Sequence, residues 1–336
     1  MINDHGLYPV YGGNGLRGFT GSYNHDGDYI LIGRQGALCG NVRKVTGKTY
    51  VTEHAIAVCA SKEHETTFLQ HLFQKMRLGQ YSDQSAQPGL AVNKLLRLNI
   101  NVPSKIEQGK IAKILSLIDE RITTQNKIIE KLETLIKGIV DSIFTANEFP
   151  KVPFKEIYVR AGEGGTPATS NPEYYDNGTI PFIKIDDLQN KYIKTNKDCI
   201  TELGLQKSSA WIVPANSIIY SNGATIGAIS INLFPVCTKQ GILGVVPKAD
   251  INVEFLYYFM TSTAFTKAVE RIVTEGTMRT AYLKDINHIP CPVPYPVKQD
   301  EIAKMLSTLS EKLENEVIFQ MKLQKQKEFL LSQMFI

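Results

Sequence analysis

The stretch "QGKIAKILSLIDERITTQNKIIEKLETLIKGIVDSIF", residues 108–144, returns in altered form as "QDEIAKMLSTLSEKLENEVIFQMKLQKQKEFLLSQMF", residues 299–335. Adding 191 to a number in the first copy gives its partner in the second. Val102-Pro103 becomes Val293-Pro294, Gln108 becomes Gln299, Ile111-Ala112-Lys113 becomes Ile302-Ala303-Lys304, and Phe144 becomes Phe335. A shift that holds this long without a gap is the signature of a duplication. In the first copy Ile111, Leu115, Ile118, Ile122, Gln125, Ile129, Leu132, Ile136, Ile139 and Ile143 alternate in steps of four and three. That spacing predicts one seam of a coiled coil. The second copy continues it with Ile302, Leu306, Leu309, Leu313, Glu316, Gln320, Leu323, Lys327, Leu330 and Met334. Its polar breaks start at Glu316, the partner of Gln125. Each copy predicts a helix of roughly 55 Å at 1.5 Å per residue, longer than a globular domain needs and suited to a spacer.

The segments ahead of the helices also echo each other. Ile218 to Gly227 repeats the pattern of Leu31 to Gly40, and Thr238-Lys239-Gln240-Gly241-Ile242 that of Thr52-Glu53-His54-Ala55-Ile56. Val92, Leu95 and Leu98 match Leu283, Ile286 and Ile289. The chain therefore reads as a globular unit and a helix, twice over. Its divisions are 1–104, 105–147, 148–296 and 297–336. Tyr29–Ile32, Ile180–Ile185 and Ile218–Tyr220 read as strands, and Phe68–Leu78 and Val253–Val273 as helices. The paired glycines Gly36 and Gly40, and Gly223 and Gly227, mark either tight bends or a close approach to a ligand. The first unit is shorter ahead of its Gly-Ala element and reads as N-terminally truncated or as a short variant.

With 336 residues, 43% of them hydrophobic and 21% charged, two cores can be buried. There is no apolar run of about 20 residues to span a membrane, and the first residues do not resemble a signal peptide. Five widely spaced cysteines without a C-x-x-C pair suggest reduced thiols in a cytoplasm. A net charge of +4 does not identify a nucleic-acid binder by itself. Residues 1–104 carry a small basic excess, while 148–296 are balanced.

No catalytic constellation stands out. Gly13-x-Gly15-x-x-Gly18 reads as lacking the preceding strand and following helix that a dinucleotide site requires. Asn171-Pro172-Glu173-Tyr174 departs from the loop of amino-methyltransferases and reads as a turn. The six histidines form no metal motif, and no Gly-x-Ser-x-Gly elbow is present. This points to a binding protein rather than an enzyme.

The duplicated plan resembles the specificity subunit of type I restriction–modification enzymes. Gly165-Thr166-Pro167 followed by Ile180-Pro181-Phe182-Ile183-Lys184 is similar to the opening of a target-recognition domain in that family. Tyr8 to Gly15, with Leu31 to Ala37 and Thr52 to Ala55, resembles a second type. Each domain closes with a Val-Pro element and a helix opening Gln-x-x-Ile-Ala. The resemblance implies an α+β fold of two mixed α/β target-recognition domains separated by two long antiparallel coiled-coil helices. It implies a subunit without chemistry of its own, each domain reading half of a split asymmetric DNA site. It further implies double-stranded DNA, two methyltransferase subunits and nuclease–translocase subunits as partners. S-adenosylmethionine, ATP and Mg are then expected on those subunits and no cofactor or metal on this chain.

Arg and Gln suit bidentate base contacts and Lys suits phosphate. The expected DNA contacts are Arg17, Arg34, Gln35, Arg43, Lys44 and Lys48 in the first unit. In the second they are Thr166, Lys184, Lys207, Ser208, Lys239, Gln240, Arg279 and Thr280. Tyr8, Tyr11 and Tyr23 are either groove-facing or core. Two other readings compete: a coiled-coil scaffold whose globular units bind protein or sugar, and an enzyme acting alone.

Overall fold

The computed structural model describes residues 5–83, 88–146, 149–223, 225–273 and 279–335. The chain divides into two compact units, Met1–Ile128 with Glu316–Ile336, and Ile129–Asn315. Each unit thus contains part of both long helices.

The first unit contains β1 (Tyr8–Gly12), β2 (Gly15–Thr20), β3 (Tyr29–Gly33), β4 (Val42–Val45), β5 (Tyr50–Val51), β6 (Ala55–Val58), α1 (Thr66–Lys75), α2 (Val92–Leu95) and the first part of α3 (Lys105–Thr145). The strands make two sheets, β2-β1-β5 and β4-β3-β6. Side chains alternate across a strand, so β3 faces two ways. Ile30 and Ile32 pack with Phe68, Leu69 and Leu72 of α1. Leu31 packs on the opposite face with Val45 and Val51. Burial on both faces explains why Tyr29–Gly33 is an almost unbroken apolar run.

The second unit adds β7 (Lys151–Pro153), β8 (Tyr158–Glu163), β9 (Ile180–Ile183), β10 (Tyr192–Ile193), β11 (Asp198–Ile200), α4 (Glu202–Gln206), β12 (Ile218–Ser221), β13 (Ile229–Asn232), β14 (Cys237–Thr238), β15 (Ile242–Pro247), α5 (Val253–Thr261), α6 (Thr263–Ile272), α7 (Leu283–Ile286), β16 (Pro290–Pro292) and the first part of α8 (Pro296–Met334). Its main sheet runs β10-β13-β12-β15-β8, beside the smaller sheets β11-β9-β14 and β16-β7. Ile218 and Tyr220 of β12 share a core with Phe255, Phe259 and Phe265. Ile219 joins Val213 and Val236 on the opposite face.

Three expected element bounds are corrected. The helix expected over Val253–Val273 is broken at Ser262, whose backbone is extended (φ −66°, ψ 152°). Its hydroxyl accepts from the Phe265 N–H at 3.3 Å and so caps α6, as serine does where it competes with helix continuation. The strand expected to reach Ile185 stops at Ile183. There the Asp187 carboxylate accepts from the Lys184 N–H at 2.9 Å and opens a 3-10 turn. The helix expected over Phe68–Leu78 spans Thr66–Lys75 and gives way at Arg77, which is left-handed (φ 47°).

The units share one frame. In the first, the Arg34 N–H donates to the His54 carbonyl at 2.9 Å and the Arg34 carbonyl accepts from Leu90 at 2.8 Å. In the second, the Asn222 N–H donates to the Gly241 carbonyl at 3.1 Å and the Asn222 carbonyl accepts from Ala281 at 2.9 Å. These bonds correct the sequence alignment by one residue. Arg34 matches Asn222 rather than Ser221, and His54 matches Gly241 rather than Gln240. The loop from Ser221 to Ile229 is one residue shorter than that from Gly33 to Val42, which accounts for the slip at Arg34. The units differ at their openings. β8 pairs with β15, whereas β1 pairs with β2 and β5.

The helices α3 and α8 have 41 and 39 residues, about 62 and 59 Å at 1.5 Å per residue. Within each unit their segments run antiparallel. In the first, Lys327 pairs with Asp119 at 2.6 Å, and Gln125 Nε2 donates to the carbonyl of Glu316 at 3.1 Å and to its carboxylate at 2.6 Å. In the second, Val140 and Phe144 share a core with Ile302, Ala303 and Leu306. Every seam position of the heptad reading is buried or half-buried. Ile114, Leu117, Val317 and Ile318, off the seam, are exposed.

The glutamine that opens each helix motif holds the helix to its unit. Gln108 and Gln299 are each 1% exposed. Gln108 Oε1 accepts from the Glu65 N–H at the start of α1, and its Nε2 donates to the Pro103 carbonyl, both at 2.9 Å. Gln299 Oε1 accepts from the Asn252 N–H at the start of α5 at 2.9 Å, and its Nε2 donates to the Pro294 carbonyl at 2.8 Å. One buried amide thus satisfies a helix-start donor and a prolyl carbonyl that would otherwise go unpaired.

Candidate nucleic-acid interface

In the first unit the turn between β1 and β2 is the organising feature. A side chain at Gly12 would lie 2.8 Å from Arg17 Nε, one at Gly13 2.7 Å from the His54 carbonyl, and one at Gly15 3.0 Å from Arg43 Nη2. Gly15 is also left-handed (φ 104°), a conformation that suits glycine. This compact turn brings Arg17, Arg34, Gln35, Arg43 and His54 to one place. Arg17, Arg34, Gln35 and Arg43 are exposed. His54 Nδ1 lies 2.9 Å from Gln35 Oε1. The amide oxygen can only accept, so the imidazole donates through Nδ1.

Lys44 and Lys48 lie elsewhere. Lys44 follows Arg43 on β4, and alternation turns it toward α1. Its Nζ is 3.1 Å from Thr67 Oγ1 and 3.4 Å from Asp28. Lys48 sits 4.7 Å from the centre of the Tyr23 ring, which meets Tyr8 edge-on at 5.0 Å. Tyr11 packs against the Leu31 core.

In the second unit three loops meet. Thr166 Oγ1 accepts from the Gln240 N–H at 3.3 Å, and the Gly241 N–H donates to Glu163 Oε1 at 2.7 Å. Gly165 lies against Ser209 and Ala210 too closely for any side chain, and Ser208 Oγ accepts from the Ala210 N–H at 3.2 Å. Thr166, Ser208, Lys239 and Gln240 are therefore gathered, with Lys239 and Gln240 exposed. Lys207 is exposed just after α4. Lys184 is occupied by Asp198 at 2.8 Å. Arg279 lines a separate cavity of about 300 Å³ with Tyr220, Gly227 and Glu270. Thr280 is half-buried beside Ala281, which is buried.

Each unit also has a polar contact between its domain helix and a long helix, at matching positions. In the first, the buried His71 ring on α1 is 3.9 Å from Asp119 on α3. Burial pushes the His71 pKa down, against the pull of Asp119. In the second, the Tyr258 hydroxyl on α5 is 3.0 Å from Ser310 on α8. Lys191 adds contacts to Tyr258 and Glu254, each at 3.1 Å, and to Ser307 at 2.8 Å. Burial alone would raise the Glu254 pKa. Hydrogen bonds from Ser307 and Tyr192 and the Lys191 charge outweigh it and hold the carboxyl below its ordinary value.

His54, which is not among the expected DNA contacts, is brought into this cluster by its contact with Gln35. The available signal was its place in Thr52-Glu53-His54-Ala55, one strand away from Arg34-Gln35. Among the described residues no cluster of His, Cys, Asp or Glu is arranged to hold a metal, and no helix is long and apolar enough to cross a membrane.

The family model for the type I restriction modification DNA specificity domain matches residues 2–134 and again 150–322. The chain belongs to this family. A specificity subunit of the type I restriction enzyme EcoprrI from Escherichia coli is 48% identical over 124 residues, 37% of this chain and 30% of that protein. That of MjaIX from Methanocaldococcus jannaschii is 29% identical over 191 residues, 54% of this chain and 44% of the relative. The chain thus spans less than half the length of these two curated relatives. A crystal structure of a type I restriction–modification S subunit from M. genitalium superposes with a TM-score of 0.66 at 19% identity, over 100% of this chain and 90% of the other. That likeness shows the shared fold: two sheet-rich domains and long linking helices. The double family match coincides with the internal repeat, one match for each globular unit and its helix.

Proposed function

We propose that the chain is the DNA sequence-specificity subunit of a type I restriction–modification complex, each globular unit reading half of a bipartite, asymmetric site. The observation that carries this reading is the convergence of Arg17, Arg34, Gln35 and Arg43 on the Gly12–Gly15 turn. It places several long hydrogen-bond donors on one exposed loop cluster, the chemistry that base edges and phosphates require. The second unit offers a more neutral surface of Thr166, Ser208, Lys239 and Gln240. Its overall charge balance fits a reader that relies on hydrogen bonds more than on phosphate attraction.

The long helices serve as the ruler. About 60 Å of helix corresponds to nearly two turns of B-DNA at about 34 Å per turn. Tethering two modest readers raises their joint affinity through effective concentration. The exposed apolar residues Ile114, Leu117, Val317 and Ile318 suit docking of methyltransferase subunits, two in number, with nuclease–translocase subunits joining them. The chain contributes no chemistry. S-adenosylmethionine, ATP and Mg act on the partners, in the cytoplasm where the DNA is.

The test is a mobility-shift titration with DNA carrying the site found by methylome sequencing, run with methyltransferase partners over a range of salt. Specific binding that weakens as salt rises is expected. Removing one heptad from each long helix should shorten the gap between half-sites while leaving both half-sites intact. An unchanged gap would reject the ruler.

A further inference from the structure

Arg34 and Gln35 follow β3 directly, and both side chains reach solvent. A glutamine side chain in that setting is a poor reader by itself. Its amide rotates freely and presents either a donor or an acceptor to the same base edge. In this protein the amide is held. His54 Nδ1 lies 2.9 Å from Gln35 Oε1, and the His54 backbone is fixed in turn by the bond from the Arg34 N–H. The imidazole is half-exposed, and its other nitrogen lies 3.8 Å from the Glu53 carboxylate.

We infer that His54 is a specificity-determining positioning residue that orients the Gln35 amide with its nitrogen turned outward as a donor. This rests on the reading of the first unit as a DNA-recognition domain. With Oε1 engaged by the imidazole, the NH₂ group faces the base. It is satisfied by an acceptor on the major-groove edge, as in guanine, adenine or thymine, and not by cytosine, whose edge there offers a donor. His54 and Gln35 then act on the same base pair and on no other. His54 need not touch the DNA to do so.

The experiment uses the full chain assembled with its methyltransferase subunits and a DNA library randomised across the half-site read by the first unit. Discrimination at each base is scored by sequencing the bound fraction. Gln35→Ala and His54→Ala should each flatten one and the same base position, by about fivefold to a hundredfold, with the second half-site unchanged. The double variant should lose no more than either single one, because the two residues form one device. His54→Asn places an amide nitrogen where Nδ1 stood and should restore preference, while His54→Gln should not. The inference fails if His54→Ala leaves the Gln35-dependent position intact, or if it weakens binding to every sequence alike, as a phosphate contact would. A wild-type chain with no sequence preference would instead remove the recognition reading beneath it.

Discussion

Arg34 and Asn222 occupy the same place in the backbone of the two units, and they are used in opposite ways. Arg34 is exposed and leaves its unit. Asn222 is 1% exposed, and its Nδ2 donates back to the Ala281 carbonyl at 3.1 Å. The partner position differs to match. His54 supplies a side chain that grips Gln35, whereas Gly241 is left-handed (φ 84°) and offers only its backbone. One frame therefore presents long charged side chains in the first unit. In the second it closes over the same spot and moves the exposed polar groups to Lys239 and Gln240. A scaffold position shared by the two units does not imply a shared use of its side chain; the loop chemistry decides.

The comparison predicts where the units should behave alike. Leu115 and Leu306 are 191 residues apart in the repeat, and each is fully buried on a long helix. Leu115→Ala and Leu306→Ala should each cost about 3–4 kcal/mol, measured by denaturant unfolding followed by hydrogen exchange in each unit. Markedly unequal losses would mean that the repeat in sequence is not a repeat in packing. A smaller effect should separate the units. Asn222→Ala removes a buried hydrogen bond and should cost about 1–2 kcal/mol without singling out any base position. Arg34→Ala should stay within about 0.5 kcal/mol in stability and relax one base by about 1–3 kcal/mol of discrimination. Stability loss from Arg34→Ala without a change in base preference would undo the contrast.

The smallest effect expected is on pH. The His71 pKa lies below its ordinary value of 6.5 in the folded chain. The unfolded chain therefore takes up the proton first as pH falls, and the first unit loses stability from about 6.5 down to the lowered folded value. Asp119 and Lys327 are the charged groups that face the ring. Glu254 lies below its ordinary value of 4.5. Its stabilising contribution is present above that value and is lost only as pH falls through the lower folded one. Hydrogen exchange at stepped pH should show the first unit loosening before the second, and His71→Gln should remove the early phase.

The architecture was legible because it rests on periodicity. A heptad seam, a shared offset and a repeated Val-Pro with its following Gln all survive in sequence, and strands such as β3 and β12 are marked by apolar runs bounded by turn residues. The site was less legible because it depends on which loops meet. Nothing local in Arg17 or Arg43 shows that both lie over the Gly12–Gly15 turn. The strand alternation that separates Lys44 from Arg43 needs the register of β4 against β3. Lys184 carries the same charge as Lys239, yet it is occupied by Asp198 on the neighbouring strand β11. The one-residue slip between Arg34 and Asn222 arose because a shortened loop leaves no trace in residue types.

The Gln125–Glu316 contact joins two positions that the duplication makes equivalent, so each residue meets its own copy. Had the ancestral unit paired with a second identical chain, this spot would have set like against like. Two glutamines can hydrogen-bond mutually, whereas two glutamates would repel. The two copies differ here, and the amide of Gln125 donates to the Glu316 carboxylate, a charge-assisted bond that two identical residues at this spot would not make. The seam contact is thus directional: the first copy donates and the second accepts.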